Sequence, residues 1–192
     1  KTFAYDKNGN LETVTDEEGK TTRYEYDYFN RLKKVTDVKG GITEYTYDAN
    51  GNRTKIKDSN NHETMYEFDE MDRLIRETNP EGDTIQYSYD ERGNLKKKVK
   101  PDGMAIQYEY TPLNLVAKVI YPSFTYEFAY DEIGNRTEMT DQTGKTQFEY
   151  NSLDLLEKTT YPDSKIVSYA YDFAGNIKEL TYQSGNKAQY EY

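Results

Sequence analysis

The apolar positions of this chain follow two periods at once. Over a few residues they alternate with polar ones, as in Thr22, Tyr24 and Tyr26 against Arg23 and Glu25. Side chains at i and i+2 share one face of a strand, so the alternation predicts a half-buried β-strand with one aromatic face and one wet face. Over a longer span the last aromatic recurs. Tyr5, Tyr26, Tyr47, Phe68, Tyr89, Tyr110, Tyr130, Tyr150, Tyr171 and Tyr192 lie 21, 21, 21, 21, 21, 20, 20, 21 and 21 residues apart. A second aromatic column sits two residues earlier, in Tyr24, Tyr45, Tyr66, Tyr87, Tyr108, Phe128, Phe148, Tyr169 and Tyr190. One step further back the same face carries Thr22, Thr43, Thr64, Ile85, Ile106, Tyr126, Thr146, Val167 and Ala188.

A weaker strand follows each aromatic one, for example LETVT at 11–15 and VAKVI at 116–120. It ends near Asp16, Asp37, Asp58 or Asp141, often ahead of a glycine, and Pro80, Pro101, Pro122 and Pro162 fall in that second turn. Each repeat therefore reads as two short strands and two tight turns, and no helical period is present. The predicted fold is all-β: an antiparallel meander of about two strands per 21-residue repeat, curled by accumulated strand twist into a spiral strip or partial shell. The whole of 1–192 reads as one array of nine units, spanning 5–25, 26–46, 47–67, 68–88, 89–109, 110–129, 130–149, 150–170 and 171–191.

The turn after each anchor aromatic could also be a metal loop, because DANGN at 48–52 sets oxygen-bearing side chains beside a glycine, as a calcium loop does. The column through that glycine reads Gly9, Asn30, Gly51, Asp72, Gly93, Asn114, Gly134, Asp154 and Gly175. All are residues that tolerate positive φ. The position before it offers a side-chain oxygen only in Asn8 and Asn50, and a calcium loop places its glycine after three alternating ligands. The stretch is a turn, with no metal and no cofactor expected. The column after the anchor, Asp6, Asp27, Asp48, Asp69, Asp90, Thr111, Asp131, Asn151 and Asp172, supplies acceptors for backbone N–H groups in the same turn.

Odd and even units differ. Gly-Asn occupies the turn in the odd units, whereas the even ones read Asn-Arg, Asp-Arg, Asn-Leu and Asp-Leu. Only the even units consistently carry a large apolar residue just before, namely Phe29, Met71, Leu113 and Leu153. Two explanations stand side by side: a contact rim on which these four residues meet a neighbouring coil or domain, or duplication of a two-unit block.

Composition changes the picture in one respect. Leu, Ile, Val and Phe make up 33 of 192 residues while 31% are charged, a balance typical of disordered chains. The 21 tyrosines supply the missing apolar area, and 16 of them lie in the two aromatic columns. The net charge of −10 repels nucleic acid and anionic membranes. No apolar run is long enough to span a membrane, residues 1–20 do not resemble a signal peptide, and there is no cysteine.

Catalytic signals are weak, and the chain is expected not to be an enzyme. The single histidine, His62, falls in a turn, Ser123 and Ser152 lack a nucleophile-elbow context, and the KKKVK run at 96–100 reads as a solvated strand edge. The sequons at Asn52 and Asn135 fall in turns.

The unit Y-D-x-x-G-x-L with a later glycine, seen in YDYFNRLKKVTDVKG and YDERGNLKKKVKPDG, closely resembles the YD repeat of the Rhs family. That family includes bacterial Rhs and wall-associated polymorphic toxins, insecticidal toxin-complex proteins and teneurins. Here Asn often replaces the Arg that follows the glycine, and the anchors at YTPLN and YNSLD are weakened. The resemblance implies a structural β-shell segment, secreted or at a bacterial surface, that encloses or presents another domain. Its partners would be other parts of the same polypeptide, an enclosed C-terminal domain or neighbouring coils. The alternative is an adhesive surface for glycan or protein, or a fibre-forming repeat. Family shells end in a domain with an Asp-Pro-x-Gly-type signature, and no Asp-Pro dipeptide occurs here, so the chain reads as wall material excerpted from a longer protein.

Overall fold

The computed structural model describes residues 1–191; Tyr192, the last aromatic of the anchor column, lies outside the described residues. All regular structure among them is β. The strands are β1 (Thr2–Tyr5), β2 (Leu11–Thr15), β3 (Thr21–Tyr26), β4 (Leu32–Thr36), β5 (Ile42–Tyr47), β6 (Arg53–Lys57), β7 (Glu63–Phe68), β8 (Leu74–Thr78) and β9 (Thr84–Tyr89). They continue as β10 (Leu95–Val99), β11 (Ala105–Tyr110), β12 (Val116–Ile120), β13 (Thr125–Tyr130), β14 (Arg136–Asp141), β15 (Gly144–Tyr150), β16 (Leu156–Thr160), β17 (Ile166–Tyr171), β18 (Ile177–Tyr182) and β19 (Lys187–Gln189). Each odd strand from β1 to β17 ends on an anchor aromatic.

Two compact units divide the chain, one of residues 1–88 and 99–103, the other of 89–98 and 104–192. In the first, each strand from β1 to β9 pairs antiparallel with its sequence neighbour. In the second, β11 to β19 do the same. The core of each unit is a face rather than an interior. Among the described residues only Ile106 and Thr159 are buried, at 5% and 3% exposure. Cohesion comes from half-buried rings paired across strands with aliphatic residues: Tyr24 faces Val35, Tyr45 faces Ile56 and Tyr108 faces Val119. The opposite face carries cross-strand ion pairs, Lys34–Glu25 at 3.0 Å and Lys158–Glu149 at 2.7 Å among them. Being exposed, such pairs contribute little stability.

One feature of the ladder is not visible in the alternation. At eight of the anchor aromatics the register shifts as the strand closes. Ala4 pairs with Thr13 but Tyr5 with Leu11, and Glu25 pairs with Lys34 but Tyr26 with Leu32. The same shift precedes Tyr47, Phe68, Tyr110, Tyr130, Tyr150 and Tyr171. Each is a β-bulge, with one extra residue on the even strand.

Candidate functional site

The residues singled out in the sequence converge on the turn that follows each odd strand, where the tyrosine and the acidic residue do different work. The acidic residue closes its own turn. Asp6 N–H donates to the Asn10 carbonyl at 2.8 Å and Gly9 N–H to the Asp6 carbonyl at 3.0 Å. The Asp6 carboxylate accepts from the N–H groups of Asn8 and Asn10, both at 2.9 Å, and from the Asn10 amide at 3.0 Å. Substitutes in this column keep the role: Thr111 Oγ1 accepts from Leu113 and Leu115 N–H, and Asn151 Oδ1 from Leu153 and Leu155 N–H. The third turn residue is in the left-handed region in every unit, from φ 58 at Asp154 to φ 99 at Gly51.

These bonds hold the carboxylates ionised. The Asn10 amide holds Asp6 below the ordinary carboxylate value, and the Arg73 guanidinium does the same for Asp69. Turned toward their own backbone, the carboxylates form caps rather than a converging acid–base pair. His62 is exposed, with Nδ1 3.2 Å from Asp58 Oδ2, and is one more ornament of a turn. Both sequon amides are engaged as well: Asn52 Nδ2 donates to Asp48 and Asp72, and Asn135 Nδ2 to Asp131.

The tyrosine reaches into the preceding unit. Tyr26 Oη donates to the Leu11 carbonyl at 3.0 Å and Tyr47 Oη to the Leu32 carbonyl at 2.8 Å. Tyr110, Tyr130, Tyr150 and Tyr171 repeat this with the carbonyls of Leu95, Val116, Arg136 and Leu156. For Leu11, Leu32, Val116, Arg136 and Leu156 the acceptor is the residue just before the bulge. Beyond the bulge the even strand diverges from the next odd strand: the β2–β3 ladder begins at Thr13 opposite Arg23, so Leu11 has no backbone partner in that register. The hydroxyl takes the place of the missing ladder donor. Phe68 is the exception, since its ring has no hydroxyl to offer the Arg53 carbonyl.

The odd–even alternation also has a physical reading. Asn8 and Asn10 both donate their side-chain amides to Asn30 Oδ1, at 3.0 and 2.8 Å. Asn50 and Asn52 donate to Asp72 Oδ1, and Asn94 to Asn114 Oδ1. In these three pairs the odd turn is the donor and needs only glycine at its left-handed position, whereas the even turn places an oxygen there. From the even side, Arg31 bonds Asp27, reaches the Asp48 carbonyl at 3.1 Å and lies 4.6 Å above the Tyr47 ring. The four apolar residues of the even turns make no such closure. Phe29, Met71, Leu113 and Leu153 are 73%, 72%, 62% and 75% exposed.

A repeated tyrosine that locks the previous unit and a repeated aspartate that caps its own turn match a known repeat. The RHS Repeat family profile matches residues 5–42, 29–64, 47–84, 68–103, 89–123 and 130–166. The chain belongs to the RHS Repeat family. Among solved structures, this RHS-repeat chain is similar to TcdB2-TccC3-Cdc42, with TM-score 0.57, 17% identity, and 97% of this chain against 12% of that one. TcdB2-TccC3 gives a TM-score of 0.56 at 16% identity, over 97% and 12% of the two chains. The Photorhabdus luminescens Tc holotoxin pore gives 0.53 at 18% identity, over 91% and 10%. At these identities the likeness is one of fold, and the RHS-repeat chain spans about an eighth or less of those chains' length. No curated protein matches the sequence.

Proposed function

We propose that this RHS-repeat chain is a non-enzymatic wall segment of a β-shell whose larger protein, secreted or at a bacterial surface, encloses or presents another domain. One observation carries the reading: the tyrosines of the anchor column and the aspartates that follow them are engaged in holding strand to strand and closing turns. The solved relatives, which are Tc toxin components, support the same use. Each unit is a single sheet layer, and such a layer gains stability when one face is covered by something else. The even-turn residues Phe29, Met71, Leu113 and Leu153 form the contact rim toward a neighbouring coil or the enclosed domain.

Limited proteolysis of the full-length parent protein tests the proposal. A domain enclosed by the strip is cleaved only after the strip unfolds; cleavage at native and denaturing conditions alike contradicts enclosure. Saturable micromolar binding of the isolated chain to a glycan array would promote the adhesive reading instead.

A further inference from the structure

Only two Asn-Gly pairs occur in the chain, Asn8–Gly9 and Asn50–Gly51, and both lie in the turn that follows an anchor tyrosine. The two turns are otherwise alike, Asp-Lys-Asn-Gly-Asn and Asp-Ala-Asn-Gly-Asn, with the glycine left-handed at φ 85 and φ 99. Asparagine before glycine has a chemistry of its own. Its carboxamide carbon is an electrophile within reach of the next backbone nitrogen, and glycine puts no side chain in the way. Attack closes a succinimide ring, which is one reason asparagine is thermolabile.

The surroundings of the two pairs differ. A Cβ built on Gly9 would meet nothing within 4 Å, and Gly9 N–H is held by the Asp6 carbonyl at 3.0 Å. Gly51 instead follows an even unit that carries Arg31. That guanidinium bonds Asp27 through Nε and reaches the Asp48 carbonyl through Nη1 at 3.1 Å. The same Nη1 lies 3.9 Å from where a Gly51 Cβ would stand. The Asp48 carbonyl is also the acceptor for Gly51 N–H, at 3.3 Å, so it serves two donors. The glycine nitrogen must lose its proton to attack, and a nearby cation favours the anion that forms. A unit charge ~4 Å away shifts such an equilibrium about fivefold even through water. Gly51 N is thus the less firmly held of the two and the more readily ionised.

The consequence differs too. Asn8 Nδ2 donates to Asn30 Oδ1 at 3.0 Å, whereas Asn50 Nδ2 donates to Asp72 Oδ1 at 2.8 Å. A carboxylate at position 8 would face an amide that can turn its own NH2 group toward it. A carboxylate at position 50 would face another carboxylate, so that a hydrogen bond gives way to repulsion, with Asn52 left as the remaining donor to Asp72.

We propose that Asn50–Gly51 is a self-modification site whose conversion weakens the link between the third and fourth turns. The Gly51 nitrogen bonds to Asn50 Cγ, the Cγ–Nδ2 bond breaks, and the Gly51 proton passes through water to the departing amide, which leaves as ammonia. Water then adds across one of the succinimide C–N bonds to give aspartate or isoaspartate. The change runs one way and accumulates with the age of the molecule.

Incubating the full chain in mildly alkaline buffer, followed by peptide mass spectrometry, measures conversion at Asn50 with Asn8 as internal reference. Arg31→Leu installs the side chain that Leu115 and Leu155 supply in other even turns, so the fold is kept. It is expected to slow conversion at Asn50 by about two- to fivefold and to leave Asn8 unchanged. A purely structural Arg31 would do the opposite, because a loosened turn reacts faster. Asn50→Asp, which mimics one product, should lower the urea midpoint more than Asn8→Asp does. Adding Asp72→Asn should restore it, since Asn30 and Asn114 already fill that column. Asn50 left intact while a free Asp-Ala-Asn-Gly-Asn peptide converts, equal or faster conversion in Arg31→Leu, or equal midpoints for the two Asp variants each overturns the proposal.

Discussion

The hydroxyl of Tyr26 donates to the carbonyl of Leu11, fifteen residues earlier and one repeat back, at 3.0 Å. The bond sits where a bulge has pulled the even strand away from its next neighbour, and it recurs unit by unit. The tyrosine of the motif is thus required for its hydroxyl as well as its ring. A net intramolecular hydrogen bond contributes about 0.5–1.5 kcal/mol. Tyr47→Phe should lower stability by about that amount in urea unfolding. The reverse change, Phe68→Tyr, should raise it, since Phe68 occupies the one anchor position in β1 to β9 that lacks a hydroxyl. Equal midpoints for both variants and the parent would remove the hydroxyl from the account.

The even turns make a separate prediction. Glycine adopts positive φ more readily than asparagine, so Asn30→Gly should stabilise if the backbone alone matters. Asn30 Oδ1 also accepts from Asn8 and Asn10. Losing both bonds is expected to outweigh the backbone gain, giving a net loss of about 0.5–1 kcal/mol. An increase in thermal midpoint would show the cross-turn bonds to be idle.

Acid should loosen the strip. A carboxylate whose folded pKa lies below its unfolded value adds stability above the unfolded value and loses it as pH falls through the folded one. Glu179 is lowered from 4.5 to about 2 by Lys187, then Gln189 and Thr181. Asp6, Asp69 and Asp172 are lowered from 3.8 by Asn10, Arg73 and Asn176 respectively. Stability should therefore hold at neutral pH and decline from about pH 4.5 down toward 2. Glu179→Gln should flatten part of that decline, and a stability flat from pH 5 to 2 would contradict the capping role.

The exposed row on the first rim yields a fourth expectation. Phe29→Ser with Met71→Ser should leave the circular dichroism spectrum and melting point of this chain nearly unchanged, because both side chains are over 70% exposed. In the full-length parent the same pair should loosen packing, seen as faster proteolysis. Unchanged proteolysis and solubility there would remove the contact rim.

Much of this was legible in the sequence, for a definite reason. Strand alternation and turn chemistry are local, so LETVT and VAKVI became β2 and β12 with the expected ends, and the Gly/Asn/Asp column was recognisable as a left-handed turn position. What escaped reading depends on register. The bulge adds Glu12 opposite no residue of β1, and nothing in Glu12 itself announces that. Without the bulge, the partner of the Tyr26 hydroxyl cannot be placed. The alternation of Gly-Asn with Asn-Arg or Asp-Arg was visible, but its cause was not. Asn10 and Asn30 are twenty residues apart, and only strand spacing brings their side chains together.

The most direct measurement concerns the hydroxyl ladder as a whole. Replacing Tyr26, Tyr47, Tyr110, Tyr130, Tyr150 and Tyr171 together by phenylalanine keeps every ring and removes six cross-unit bonds. At about 1 kcal/mol each the loss is about 6 kcal/mol, comparable with the whole stability of an ordinary domain. Urea unfolding followed by circular dichroism should therefore find the variant largely unfolded or its midpoint greatly lowered. A midpoint equal to that of the parent would mean that ring packing alone holds the repeats together.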